Sequence, residues 1–143
     1  MLNENIELLK FIYQNSKMGL EAVFQLLKII EEGEIKKHLL IEQEEYFLIN
    51  QKAEYLLNYL GYEEEDLAWY EKFRSYWTIQ METLVDKSDS RIAQMLIIGS
   101  VMGIIDAKIN LKKYKFADDN VLELMEELRK MEENNVKILY NLL

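Results

Sequence analysis

Apolar residues enter this chain at alternating three- and four-residue steps. Ile6, Leu9, Tyr13, Ser16, Leu20, Val23, Leu27 and Ile30 make one stripe, widened by Leu8, Ile12, Gly19, Ala22, Leu26 and Ile29. Glu7, Lys10, Gln14, Lys17, Glu21, Lys28 and Glu31 occupy the other side. That period is the mark of an amphipathic helix. It predicts one over residues 4–32, capped by Asn3 or Asn5 and closed by a turn at Gly33. A second helix follows over 34–60, with Ile35, Leu39, Glu42, Tyr46, Ile49, Ala53, Leu56 and Leu60 inside and Gly61 as its stop. The acidic run Glu63 to Asp66 suits a helix N-terminus. It opens a third helix over 66–86 whose apolar side is aromatic: Trp69, Tyr70, Phe73, Tyr76 and Trp77. The break from Asp86 to Ser90 offers Ser88 or Asp89 as cap for a fourth helix over 89–114. A fifth spans 119–142, with Val121, Met125, Leu128, Glu132, Asn135, Leu139 and Leu142 on one stripe.

The fourth helix is the expected centre. Ile92 to Ile105 is apolar on every side except at Gln94 and Ser100. A helix that is hydrophobic all round is expected to be buried all round. Fourteen such residues fall short of the roughly 20 that span a bilayer, so the expectation is a soluble bundle with no membrane insertion. The small residues Gly99, Ser100 and Gly103 predict a close crossing with the first helix at Ser16 and Gly19. Ser16-Lys17-Met18-Gly19 is echoed by Ser100-Val101-Met102-Gly103, and Ala53 to Leu60 by Val136 to Leu143. Helices one and two and helices four and five then read as two copies of one hairpin, with the third helix in the crossover.

Composition narrows the chemistry. The 143 residues suit a single domain, 1–143, and the absence of proline suits long uninterrupted helices. Without cysteine there are no disulfides, thiolate metal sites or thiol catalysis. One histidine, His38, excludes His-rich metal sites and is read as a surface residue. A net charge of −9 argues against nucleic acid or an anionic membrane as partner. The first ten residues lack the basic start and apolar run of a signal peptide, so the expected location is cytoplasmic.

What remains unexplained by packing is polar. Ser16, Glu42, Gln43, Asn50, Ser100, Glu132 and Asn135 fall near the middles of inner faces. A buried carboxylate must be paired, protonated or metal-bound. One reading is a hydrogen-bonded layer that sets helix register. The other is a carboxylate-lined site for a hard cation such as Fe or Mn, built on Glu42, Glu132 and Asp106. The aromatic residues Trp69, Tyr70, Phe73 and Trp77 read as core or as an interface.

Two similar hairpins joined by a mid-chain crossover resemble the ferritin-like superfamily, and the size and composition look like its small spore-coat-like members. The resemblance implies an all-α bundle of four main helices plus a crossover helix. It also implies a di-iron site made of one Glu from each of two helices and Glu-x-x-His from each of the other two. Matched residue by residue, Glu21 and Asp106 are the available single carboxylates. Glu45-x-x-Leu48 and Glu132-x-x-Asn135 keep the paired spacing without its histidine. The functional expectation is a non-enzymatic structural or protein-interaction role, as a homo-oligomer or with a protein partner and with no cofactor. The alternatives are a metal-binding oxidoreductase or a bundle that holds a small ligand.

Overall fold

The computed structural model describes residues 2–62 and 68–143, and for Leu2 and residues 68–70 the backbone alone. Five helices follow one another: α1 (Leu2–Leu27), α2 (Glu34–Tyr59), α3 (Ala68–Glu82), α4 (Asp89–Lys113) and α5 (Asp119–Tyr140). The fold is all-helical, with no strand among the described residues. α1 packs along α2 and α4 packs along α5, each pair forming an extensive antiparallel hairpin. α5 then lies against both α1 and α2, while α3 rests on α1. The core runs between the hairpins and is built from Leu8, Leu9, Ile12, Leu26, Leu39, Leu57, Ile92, Met125, Leu128 and Leu139, all essentially solvent-free.

Local chemistry explains most boundaries. α2 ends because Gly61 takes a left-handed φ of 80°, open to a residue without Cβ. Gly61 N–H donates to the Asn58 carbonyl and Tyr62 N–H to the Leu57 carbonyl, which satisfies the last turn in the Schellman pattern. Ser88 caps α4, its hydroxyl accepting from Arg91 N–H at 3.3 Å. α1 stops at Leu27, short of the expected 32. Lys28 and Ile29 bond back only three residues there, and Ile29 and Ile30 reach the core from a turn instead. Asn5 is not a cap for α1. It lies inside that helix, and its Oδ1 accepts from Asp118 N–H at 2.7 Å, where α5 begins. The acidic run before α3 falls outside the described residues.

Two expectations fail on α4. Only one side of it is buried, through Ile92, Ala93, Leu96, Ser100 and Ala107. Ile98, Met102, Ile105 and Ile109 are each more than half exposed, and Val101 is exposed as well. The all-round rule infers burial from composition, but this five-helix bundle has neighbours for only one face of α4. By length and composition α4 is the one described helix able to cross a membrane, with 39% of its most apolar stretch buried inside the bundle. Nor do α1 and α4 cross closely, as theirs is the slightest of the helix contacts. Gly99 faces open space. Gly103 does approach α1, where a Cβ would stand 3.4 Å from Asn15 Nδ2. Gly19 makes its close contact with α2 instead: a Cβ there would meet the Tyr46 ring at 2.5 Å.

Gly19→Ala should therefore cost about 1–3 kcal/mol, because the Tyr46 ring is held from its far end and cannot swing away freely. Chemical denaturation of the variant checks this. A stability equal to the parent's would mean that the ring moves at little cost.

Candidate functional site

α2 carries a polar ridge on its buried side. His38, Glu42, Tyr46 and Asn50 recur every four residues, and an α-helix stacks such positions on one face. All four are buried, with Glu42 only 1% exposed. α5 faces this ridge with Glu132 and Asn135, α4 adds Ser100 and α1 adds Ser16, all buried too.

The ridge meets two networks. At one end Asn50 Nδ2 donates to the Tyr13 carbonyl and to Ser16 Oγ, both at 3.1 Å. The Ser16 hydroxyl in turn reaches the Ile12 carbonyl at 2.7 Å. This network is closed, and it pins α1 to α2. The other network is open. Tyr46 Oη donates to Glu132 Oε1 at 2.6 Å, a short bond of the kind a carboxylate acceptor gives. His38 Nε2 stands 3.5 Å from Glu42 Oε1 without hydrogen-bond geometry. His38 Nε2, Glu42 Oε2, Glu45 Oε1, Glu132 Oε2 and Asn135 Nδ2 are all buried atoms that make no hydrogen bond. Orphaned polar atoms are rare in folded proteins, and five around one helix pair mark a site.

Electrostatics follow from that burial. Loss of solvent pushes the Glu132 carboxyl up to about 7, against the pull of Tyr46 and Ser100 and with a further push from Glu42 and Glu45. The half-buried Glu45 is also raised, first by desolvation, while Asn135 draws it back. The Tyr46 hydroxyl is driven well above its ordinary range by burial and by the facing Glu132 and Glu42. No lysine or arginine is buried among the described residues to balance these acids. The surface grooves lined by Gln51 and Tyr55, by Asp119 and Lys130, and by Ile29 and Asp89 contain none of the cluster.

Of the residues expected in a polar core layer, Ser16, Glu42, Asn50, Ser100, Glu132 and Asn135 are buried. Gln43 is only half-buried. Asp106 is exposed on α4, so it is not part of a core metal site with Glu42 and Glu132. Glu21, expected to point to water, is buried beside α3, 3.4 Å from Arg74 and accepting from Gln25. His38 is also inside, not on the surface. Its signal was the four-residue spacing to Glu42, Tyr46 and Asn50, masked by the neighbouring Lys36 and Lys37. Phe73 and Trp77 stack on each other with ring centres 6.2 Å apart. Trp77 Nε1 donates to the Ala22 carbonyl of α1, so this pair is partly spent on packing α3. The side chains of Trp69 and Tyr70 lie outside the described residues. Among the described residues, no three histidine or acidic side chains stand close enough as placed to hold a metal ion. Compared with known protein families, curated proteins and solved structures, the chain matches none.

The raised Glu132 carboxyl has a consequence for metal-free protein. A folded value of about 7, above the ordinary 4.5, adds stability that is complete below pH 4.5 and is lost as pH rises through 7. The loss is on the order of 3 kcal/mol. Glu132→Gln, which still accepts from Tyr46, should flatten this slope and melt above the parent at pH 8. Thermal melts from pH 4.5 to 8 in chelator test it. A parallel slope in both proteins would place the titration elsewhere.

Proposed function

We propose that this chain is a non-enzymatic helical-bundle protein that works by association, with a second copy as its first partner. The observation that carries this is the outer face of α4. Ile98, Val101, Met102, Ile105 and Ile109 recur at helical spacing and all are exposed. A contiguous apolar stripe on a monomer marks an interaction surface. Covering each half-exposed side chain is worth roughly 1 kcal/mol, so five on each of two chains supply a substantial driving force. A two-fold pair uses the same patch twice, which a single stripe satisfies without a second surface. The ferritin-like layout belongs to the same reading: two hairpins, α1–α2 and α4–α5, with α3 in the crossover.

Sedimentation velocity over a wide concentration range tests it. The parent should run at twice 17.1 kDa, and Ile98→Glu combined with Ile105→Glu should run as a folded monomer. A parent that stays monomeric throughout, or a double variant that still pairs, would overturn the α4 interface.

A further inference from the structure

The dinuclear centre that the ferritin-like resemblance implies does not fit this core. Such a centre draws one carboxylate from each of two helices beyond its two paired motifs. On α1 the only buried acid near mid-helix, Glu21, is engaged with Arg74 and Gln25. On α4 Asp106 is exposed, and what the helix turns inward is Ser100. One half of a metal pair would therefore have no ligands.

The other half is crowded with them. We infer that the α2–α5 seam holds one divalent transition-metal ion, with His38, Glu42, Glu45 and Glu132 as its donors. Three arguments support a cation here. Each of these four residues carries a buried donor atom that bonds to nothing. His38, Glu42 and Glu132 are all more than nine-tenths buried. Among the described residues no lysine or arginine is buried beside Glu42 and Glu132, and His38, 3.5 Å from Glu42 Oε1, is the one buried basic side chain; uncompensated buried charge is strongly disfavoured.

The donor set also selects the ion. One imidazole with carboxylate oxygens suits Mn, Fe or Zn, whereas Mg and Ca prefer oxygen alone. As placed, no three of the groups surround one point. Closure requires the carboxylates of Glu42 and Glu45 to turn: Glu42 Oε2 has no hydrogen bond to resist it, and Glu45 has only the pull of Asn135 to give up. Glu45 is the half-exposed member, so it gives an ion its way in from solvent.

The test uses full-length protein stripped with chelator and titrated with Mn²⁺ or Zn²⁺ alone by calorimetry, with metal content measured after dialysis. One ion per chain is expected, together with a rise in melting temperature. Glu42→Gln and Glu132→Gln should each weaken binding at least tenfold, whereas Asp106→Asn and Glu21→Gln should not change it. Melts of the metal-free variants show whether each one folds, and His38→Gln gives an independent donor deletion. Two ions per chain, no saturable binding, or binding indifferent to Glu42, Glu132 and His38 would overturn the inference. The monomeric Ile98→Glu, Ile105→Glu variant should bind equally well, which separates this site from the α4 interface.

Discussion

Tyr46 is the contact on which the arrangement of helices depends. Its ring fills the space left open by Gly19 on α1, and its hydroxyl is held by Glu132 on α5. One side chain of α2 thus gauges its distance to two other helices at once. The glycine permits the approach, and the carboxylate sets where the ring must stop. A leucine in place of Tyr46 would fill volume but take the 2.6 Å hydrogen bond away from Glu132 in a desolvated seam, which is the costly outcome for a buried polar group.

The same seam carries a desolvation cost. Apolar residues at Glu42 and Glu132 would remove the desolvation cost, as replacement of buried polar pairs elsewhere shows. What the acids supply is a junction of three helices, because Tyr46, Ser100 and Glu132 come together from α2, α4 and α5. The closed network at Ser16 and Asn50 pins α1 to α2 without leftover bonding capacity. The open network at His38, Glu42, Glu45, Glu132 and Asn135 keeps five atoms free. That difference between two polar clusters on one helix directs attention to the second as a place for an ion.

Much of the architecture was legible in the residues. Period and caps predicted five helices, and Ser88 and Gly61 act where turn chemistry put them. The inner polar residues were legible as well, since Glu42, Glu132 and Asn135 interrupt apolar stripes. The misreadings have physical causes. Composition predicts α4 buried all round because it records hydrophobicity and not how many neighbours a bundle provides. His38 sits after two lysines, and only its four-residue relation to Glu42 and Tyr46 shows that it turns inward. Glu21 looked solvent-facing until α3, whose placement no local pattern fixes, brought Arg74 to it. The small residue Gly19 signals a close approach without naming its partner, which is Tyr46 of α2 and not α4.

Tyr46 and Glu132 act as one unit across the α2–α5 seam. A double-mutant cycle with Tyr46→Phe and Glu132→Leu, each of which removes the bond from one side, tests this most directly when read by denaturant unfolding of metal-free protein. The expected coupling is about 1–3 kcal/mol, the range for residues sharing a buried hydrogen bond. Additive losses would show that the two side chains stabilise the bundle independently and that no shared bond ties α2 to α5 at this point.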